Sequence, residues 1–512
     1  MTDAAGQHAA GQHGAGQVDV VIVGSGPAGC TYARLICDQV PEARVLVVES
    51  GPVVSQPPGT HVNTIVDDRA RARAKVASQG PVRYSYNIPP AGQELLTHRL
   101  GQDGPILPHE GLFLLSSTQE VSPDFPAAAM ASNVGGMGAH WFGSCPRPAG
   151  TERIAFLEDP APLDGPTLDD ALSTAEGLLG VSARQFAGSP AAKWRENALG
   201  AVFDPGRAPD RQVQAMPLAV NRETPGSGQA GPAVVLGPLL NGAHGNFELR
   251  PETLCRRVVM SGDRATGVEL VDLASGTPYQ VAARQVVIAA DSLRTPQLLF
   301  ASGVRPAALG RRLNEHPYIA ALFQVDETAS QPGDPDALMP ASGVTWIPFD
   351  DASFPLQVQV HQRSQLLSAG LFLRNEIRPE NWVEFSDSAR DWRDLPRMRI
   401  HYSLSDLDRA VVDQAMAVAA DIGRACAATA LDGWPQLMPG GSSLHYQGTV
   451  RMGAADDGDS VCDRHGRVWN TENLYVAGNG LIPTSTACNP TLTGVALAAI
   501  GARRVSAELN SA

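Results

Sequence analysis

A glycine-rich segment near the amino terminus contains the residue types that bind a phosphate group. Gly24-Ser25-Gly26-Pro27-Ala28-Gly29 follows the β-branched apolar run VDVVIVG and precedes the helical run AGCTYARLICDQV. In this pattern the glycines allow a tight turn, close approach of the backbone to a pyrophosphate, and close packing of the helix on the strand. The helix then offers free N–H groups and the positive end of its dipole. The spacing predicts a dinucleotide site that includes Gly24, Ser25, Gly26, Ala28 and Gly29.

An acidic residue completes this predicted site. A second apolar run, ARVLVVE, ends at Glu49, close to the spacing of about 20 residues at which an acidic side chain binds the ribose hydroxyls. The agreement of strand, turn, helix and carboxylate favours nucleotide binding over a simple glycine turn. It does not distinguish FAD from NAD.

Composition and charge exclude several classes of function. The 512 residues carry a net charge of −14, which repels phosphate backbones and makes nucleic acid an unsuitable partner. No apolar run approaches the roughly 20 residues of a membrane helix, so no membrane partner is expected. The amino terminus resembles no secretory signal, and residues 1–17 are predicted to be a disordered leader.

The cysteines give no sign of a disulfide framework or a metal site. There are seven, widely spaced, and the sequence has neither a C-x-x-C nor an H-E-x-x-H motif. We therefore expect no metal and reduced thiols in a cytoplasmic protein.

The remaining chain predicts an α/β fold, α+β overall, with two interleaved domains. A Rossmann-type nucleotide-binding domain alternates with a substrate domain built on an antiparallel sheet covered by helices. The nucleotide-binding domain is expected in four segments, residues 18–60, 120–150, 247–317 and 440–512. The substrate domain is expected in three segments, residues 61–119, 151–246 and 318–439.

Four sequence blocks together resemble one family. They are VIVGSGPAG, NVGGMGAHW, LNEHP, and the pair SLHYQGTVRMG and CNPTLTG. From Val18 onward the chain is similar to the glucose–methanol–choline (GMC) oxidoreductases, in particular the pyranose oxidase and glycoside 3-oxidase branch. The resemblance implies FAD as the cofactor and hydride transfer from a substrate alcohol to the flavin N5.

The resemblance assigns the catalytic pair to His445 and Asn489. The chemistry supports this independently, because removing a hydride from a carbinol carbon requires a base for the hydroxyl proton. An imidazole with an ordinary pKa near 6.5 is suited to that task. Asn489 can hold the same hydroxyl. Asn489 and Pro490 also suit the N-cap and first position of a terminal helix, which is expected to begin there and to direct its dipole at the flavin.

The resemblance also implies which further residues contact the flavin. His140 corresponds to the residue that carries a covalent bond to the flavin in fungal pyranose oxidases. The residue two places further is Thr in those enzymes and Phe142 here. This difference favours non-covalent FAD, although a link through His140 stays open. The other expected cofactor contacts are Gly135, Gly136, Gly138, Trp141, Asn479, Pro490 and Thr491.

Two polar side chains on one predicted strand are candidates for binding a sugar. In the run LQVQVHQR, Gln359 and His361 alternate with valines and therefore share one face. That face either lines a substrate cavity or forms a polar outer surface. The segment SQLLSAG, residues 364–370, is expected to be a mobile gate.

The favoured function is FAD-dependent oxidation of a secondary hydroxyl of a sugar or glycoside, at C3 in preference to C2. Oxygen or a quinone would accept the electrons. One alternative is another GMC activity, on choline, a steroid or an aryl alcohol. The other is a lyase that keeps FAD without redox chemistry, as plant hydroxynitrile lyases do.

Overall fold

A computed structural model describes most of the chain. The described residues are 17–80, 111–158, 167–186, 189–224, 226–326, 343–351 and 353–511. The predicted leader, residues 1–17, lies outside this range except for Gln17, which begins the first strand.

Eight α-helices are present in the described residues. They are α1 (Pro27–Gln39), α2 (Asp68–Ser78), α3 (Leu168–Leu179), α4 (Pro190–Phe203), α5 (Pro232–Leu236), α6 (Asp291–Ala301), α7 (Asp406–Ala425) and α8 (Thr491–Asn510).

The described residues also contain twenty-one strands. They are β1 (Gln17–Val23), β2 (Val45–Val48), β3 (Phe113–Leu114), β4 (Glu120–Val121), β5 (Ala129–Met130), β6 (Val181–Ser182), β7 (Gln214–Ala215), β8 (Leu218–Ala219), β9 (Phe247–Arg250), β10 (Thr253–Ser261), β11 (Arg264–Asp272), β12 (Pro278–Ile288), β13 (Tyr318–Val325), β14 (Thr345–Ile347), β15 (Leu356–Arg363), β16 (Leu366–Leu373), β17 (Trp382–Arg390), β18 (Pro396–His401), β19 (Ala428–Ala430), β20 (Gln436–Leu437) and β21 (Leu474–Val476).

The first sheet has the order β10-β11-β12-β1-β2-β9, with β21 also paired to β12. Its centre is parallel: β1 pairs with β12 and β2, and β2 pairs with β9. Residues 20–23 and 45–48 are buried because helices and loops cover both faces, as is typical of parallel sheets. Helices α1 and α8 pack together against this sheet, and the predicted Rossmann-type arrangement is confirmed.

The second sheet is antiparallel and has the order β19-β13-β16-β15-β14-β7, with β20 also paired to β13. Helix α7 packs on β13 and β16, and helix α4 packs on α7. Val358 and Val360 of β15 point into the core beneath α7. The predicted antiparallel sheet with a helical cover is confirmed.

The structure differs from expectation at residues 364–370, and two strands nearby form a sheet of their own. Strands β17 and β18 do not join the second sheet, since they form a separate three-stranded sheet with β4. The expected gate at residues 364–370 is mostly strand β16, which pairs along its length with both β13 and β15. Only the turn at Ser364 and Gln365 separates β15 from β16. The apolar residues that follow the turn belong to β16 and pack within the sheet.

No helix in the described ranges is both long and apolar enough to cross a membrane. All seven cysteines are buried and unpaired.

Candidate active site

A cavity of about 690 Å³ connects the first sheet to the second. It begins at the carboxyl ends of β1 and β2 and reaches the face of β15 opposite Val358 and Val360. This volume is in the ordinary range for a ligand pocket, roughly 300–1,000 Å³. The carboxyl edge of a parallel sheet is also where nucleotide cofactors bind in α/β folds.

The glycine motif shapes the first end of this cavity. Gly24 has φ +108°, and a Cβ there would come within 2.3 Å of the Ala289 carbonyl oxygen. A Cβ at Gly29 would come within 2.0 Å of the Gly24 carbonyl oxygen, so the motif requires glycine at both positions. At Gly26, no atom of the described residues lies within 4 Å of the Cβ position, so its backbone is open to the cavity. Because Gly26 caps α1 without a side-chain hydrogen bond, the first N–H groups of the helix can bind a pyrophosphate.

Glu49 follows β2 and lines the cavity. Its Oε2 accepts hydrogen bonds from the Ser25 hydroxyl at 2.9 Å and the Ser25 N–H at 3.2 Å, and its Oε1 accepts from the Gly51 N–H at 2.9 Å. These donors fix the carboxylate beside the open backbone of Gly26, where ribose hydroxyls can reach it.

The segment after β5 forms the adjoining wall. A short 3₁₀ helix, Gly136–Ala139, leads to His140 and Trp141. A Cβ at Gly138 would come within 2.7 Å of Pro27 Cγ, so only glycine allows this segment to approach α1. Cavity-lining residues in this wall include Gly136, Gly138, His140 and Trp141.

His140 is held in place and shielded from solvent. Its Nε2 lies 3.1 Å from Asn133 Oδ1, and its buried Nδ1 has no hydrogen-bond partner among the described residues. The backbone of Gly111 covers the ring, since a Cβ at Gly111 would come within 2.6 Å of Nδ1. Burial lowers the pKa of His140 to about 3, so the ring is neutral.

Four predicted cofactor residues lie behind the wall of the cavity instead of lining it. They are Ser25, Gly29, Gly135 and Pro490. The Ser25 hydroxyl donates to Glu49 and accepts from the Gly135 N–H at 2.9 Å, so it joins the two glycine segments.

The start of α8 borders the cavity through Thr491, and Asn479 lies beside it. The expected helix start was displaced by one residue: Pro490 is the N-cap and Thr491 is the first helical residue. The Pro490 carbonyl oxygen accepts the first intrahelical hydrogen bond, from the Gly494 N–H at 2.8 Å. The Asn489 side chain does not cap the helix, because it is engaged elsewhere.

At the far end of the cavity, His445 and Asn489 come together. Asn489 Nδ2 lies 3.3 Å from His445 Nε2. Asn489 Oδ1 accepts hydrogen bonds from Gln357 Nε2 at 2.8 Å and from Gln359 Nε2 at 2.6 Å. Two donors on the oxygen fix the orientation of the amide, so its NH₂ group is directed towards His445.

Behind His445 lies a second histidine that the sequence argument missed. The Nδ1 atoms of His316 and His445 are 2.9 Å apart, and His316 Nε2 lies 3.1 Å from Thr486 Oγ1. Burial lowers the pKa of His316 well below its usual value, so His316 is a neutral imidazole. His316 lies in the LNEHP block, which contributed to the resemblance but indicated no role for this histidine.

Two buried carboxyl groups position the loops that carry His445 and Asn489, and the sequence did not reveal them. Glu315 accepts from the Gly441 N–H at 2.7 Å and the Ser443 hydroxyl at 2.8 Å, just before His445. Glu152 accepts from the N–H groups of Ala487 at 2.7 Å and Cys488 at 2.9 Å, just before Asn489. Burial raises the pKa of Glu315 to about 7 and also raises the pKa of Glu152.

Two arginines lie near Glu49 at the cofactor end, and no motif identified them. Arg393 donates to the hydroxyls of Ser50, at 2.8 Å, and Ser132. Arg294 lines the cavity and is 8% exposed, and neither of its Nη atoms has a partner in the described part of the chain. Because buried donors without a hydrogen-bond partner are costly, these Nη atoms indicate a ligand with hydrogen-bond acceptors at this end.

The two candidate sugar ligands on β15 differ in their surroundings. Both Gln359 and His361 line the cavity, so the inward orientation of this face is observed. Both polar atoms of the Gln359 carboxamide are engaged. Its Oε1 accepts from the Ser144 hydroxyl at 2.9 Å, and its Nε2 donates to Asn489 Oδ1. Burial lowers the pKa of His361 to about 4, so its ring is neutral. Nearby, Tyr318 lines the cavity and stacks on Phe372, with ring centroids 4.8 Å apart.

The open Gly26 backbone, the fixed Glu49 carboxylate and the unpaired Arg294 fit a dinucleotide with an adenosine half. A Rossmann-type sheet leading to a His–Asn pair suits an oxidoreductase that moves a hydride between a CH–OH group and a dinucleotide cofactor. The described residues contain no group of three His, Cys, Asp or Glu side chains able to hold a metal ion.

Comparisons with known proteins agree with this class. Sequence models of the GMC oxidoreductases match residues 234–318 and 378–498. The chain is 44% identical to a C-glycoside 3-oxidase of Microbacterium trichothecenolyticum, over 97% of this chain and 98% of that protein. It is 29% identical to a pyranose 2-oxidase of Tricholoma matsutake, over 96% and 94%. The chain belongs to the GMC oxidoreductase family, and FAD is its cofactor.

The fold is also shared with solved structures. A pyridoxine 4-oxidase from Mesorbium loti superimposes with a TM-score of 0.66 at 18% identity, over 95% of this chain and 99% of that one. At this identity the likeness concerns the fold alone.

Proposed function

We propose that the protein oxidises the C3 hydroxyl of a sugar or glycoside, with His445 as the base. The observation that carries the proposal is the His445–Asn489 pair, fixed at 3.3 Å at the end of the cofactor cavity. The 44% identity to a C-glycoside 3-oxidase supports the choice of substrate and carbon.

The proposed role of His445 requires the tautomer with the proton on Nδ1 and the lone pair on Nε2. His316 Nδ1, 2.9 Å from His445 Nδ1, accepts that proton in this tautomer. On its other side, His316 Nε2 lies 3.1 Å from both Thr486 Oγ1 and Gln447 Nε2. With its proton on Nδ1, His445 directs the Nε2 lone pair at the cavity and the Asn489 amide, as a base requires.

The proposed reaction uses the two side chains in different ways. Asn489 Nδ2 donates a hydrogen bond to the substrate hydroxyl oxygen and orients it, while His445 Nε2 accepts the hydroxyl proton. Bound FAD supplies the acceptor for the hydride that leaves the same carbon. The ring of Phe372, with its centroid 5.1 Å from that of His445, helps to exclude water from the base.

Three finer points belong to the proposal. FAD is held non-covalently, because Asn133 engages His140 Nε2 and Gly111 covers Nδ1. Oxygen or a quinone accepts the electrons from the reduced FAD. A cytoplasmic location suits the seven unpaired thiols. The chain divides into the two interleaved domains expected from its sequence.

Oxidation at C2 is the second candidate. It is favoured by the 29% identity to a pyranose 2-oxidase along almost the whole chain. Oxidation at C3 and oxidation at C2 would use the same base, and they differ only in the orientation of the sugar ring in the cavity.

Anaerobic mixing with monosaccharides, glycosides, choline and an aryl alcohol, followed by NMR of the products, tests the proposal. We expect sugars or glycosides to bleach the flavin absorbance and the product to carry a carbonyl at C3. A C2 carbonyl would establish the second candidate. Bleaching by choline or the aryl alcohol alone, or conversion without bleaching, would contradict the proposal. Denaturation should release the yellow colour from the polypeptide; retained colour would show a covalent bond.

A further inference from the structure

The inward face of the second sheet continues from β15 across β16 to β13. Gln359 of β15 lies directly opposite Gly370 of β16, and Phe372 of β16 lies directly opposite Tyr318 of β13. Residues directly opposite each other in an antiparallel pair point to the same face of the sheet. All four of these residues line the cavity. The face that holds Asn489 through Gln359 therefore also presents Tyr318 to a ligand.

The ring of Tyr318 is fixed by its neighbours. It stacks on Phe372, with ring centroids 4.8 Å apart and planes tilted by 24°, and Phe372 in turn lies against His445. The Tyr318 hydroxyl is placed above Gly370, since a Cβ at Gly370 would come within 3.1 Å of Tyr318 Oη. The glycine at this position thus leaves the room over the sheet that the hydroxyl occupies.

The Tyr318 hydroxyl has no hydrogen-bond partner in the described part of the chain. Two other buried tyrosines are engaged: Tyr402 Oη donates to the Glu315 carbonyl oxygen, and Tyr446 Oη donates to the Ala129 carbonyl oxygen. Burial raises the pKa of Tyr318 to about 12, so its hydroxyl keeps its proton and can donate. Because a shielded donor without an acceptor is costly, this hydroxyl indicates a ligand with an acceptor atom beside it.

The spacing of the strands relates this hydroxyl to the catalytic pair. Neighbouring strands are about 4.8 Å apart, so Gly370, beneath Tyr318 Oη, lies one strand spacing from Gln359. Gln359 bonds Asn489, so the hydroxyl that Asn489 and His445 bind in the proposed reaction lies on the Gln359 side. A pyranose ring has a similar width, and a second hydroxyl of the same sugar can therefore reach Tyr318.

We propose that Tyr318 is a specificity-determining residue that selects polyhydroxylated substrates. Its hydroxyl donates a hydrogen bond to a second hydroxyl oxygen of the sugar, while Asn489 and His445 bind the hydroxyl that is oxidised. This inference rests on the proposed oxidation of a sugar or glycoside at His445. Choline and simple aryl alcohols have one alcohol group and cannot form both contacts, so Tyr318 favours sugars over them.

The test measures kcat/KM in the FAD-loaded enzyme for glucose and for its deoxy analogues at each non-reacting carbon. Y318F removes only the hydroxyl and keeps the stacked ring, and kcat/KM for glucose should fall by about 5- to 15-fold, as for one lost hydrogen bond. For the analogue that lacks the bonded hydroxyl, Y318F and the wild type should agree within twofold, whereas the other analogues should show the full loss. Y279F, at a tyrosine outside the cavity whose hydroxyl accepts from Arg250, is the matched control and should change none of these values.

A binding measurement separates this inference from the proposed function. In H445A, where turnover is slow, calorimetry should show glucose binding several-fold more tightly than in the H445A/Y318F double variant. Unchanged kcat/KM in Y318F, an equal loss for glucose and every analogue, or glucose binding that is absent or the same in both variants would overturn the contact. Failure of every sugar and glycoside to bleach the wild-type flavin would instead refute the proposed function, and the binding comparison would still decide whether Tyr318 contacts the sugar.

Discussion

The cofactor end and the catalytic end of the cavity are built in different ways. The cofactor end is mostly backbone, supplied by two short glycine segments that include Gly24, Gly26 and Gly138, where side chains would collide or block the approach of a ligand. The catalytic end consists of side chains from distant parts of the chain, His316, Gln359, His445 and Asn489, joined by hydrogen bonds. We therefore expect changes at the first end to affect FAD affinity and changes at the second to affect the rate of reaction.

The largest effect is expected at His445. H445A removes the base, and flavin bleaching by a glycoside should slow by about 10²- to 10⁴-fold. FAD content should be unchanged, because the cofactor end is intact. Anaerobic stopped-flow absorbance measures the rate, with H244A, outside the cavity, as the control. Equal bleaching rates in H445A and the parent would contradict the role of the base.

The second-largest effect is expected at Arg294, and it concerns FAD affinity instead of the reaction rate. R294Q removes a buried charge that has no partner in the described residues, and the dissociation constant of FAD should rise by about 10- to 100-fold, as for a lost charged hydrogen bond. Titration of the apoprotein with FAD by fluorescence measures this. R257Q, at an exposed pair with Glu269, is the matched control. Unchanged FAD affinity in R294Q would show that this guanidinium is not a cofactor contact.

A smaller effect is expected at Gln359, which acts through Asn489. Q359L removes one of the two donors to Asn489 Oδ1, and kcat should fall about 5- to 15-fold, as for one lost hydrogen bond. FAD affinity should stay within twofold of the parent. Steady-state kinetics of Q359L and of Q324L, an exposed control on β13, test this. A loss of FAD affinity without a loss of kcat would break the division between the two ends.

The smallest effect concerns stability in acid. Burial lowers the pKa of His61, near the cofactor end, and of His361, near the catalytic end, each to about 4. Between pH 6.5 and 4 the unfolded chain binds protons that the folded chain does not, so stability falls as the pH falls through this window. The H361Q substitution should reduce the slope of the unfolding free energy against pH by up to about 1.4 kcal/mol per pH unit. Urea unfolding at pH 6.5, 5.5 and 4.5 measures it, with H465Q as the control, and parallel curves for H361Q and the parent would count against it.

The sequence predicted well what is local or belongs to a family block. The glycine motif, Glu49, the two kinds of sheet and the cofactor follow from contiguous runs of residues. The His445–Asn489 contact came from two blocks that the resemblance joined. Single sequences contain no comparable signal for Arg294, whose importance arises only from burial without a partner.

The errors arise where tertiary contacts override local composition. Residues 364–370 contain Ser, Gln and Gly and suggested a loop, yet Leu367, Ala369 and Leu371 are buried between neighbouring strands. Asn489 suited a helix N-cap, but two glutamines of β15 engage its carboxamide. In both cases contacts with strands of the second sheet, and not the local sequence, determine the structure.

A crystal structure of the FAD-loaded protein with a bound, non-reacting glycoside would show whether His445 and Asn489 hold the reacting hydroxyl. We expect the C3 hydroxyl oxygen within about 3.2 Å of His445 Nε2 and of Asn489 Nδ2, with the flavin ring across the same cavity. A sugar bound away from this pair, or a flavin on the other side of the second sheet, would contradict it.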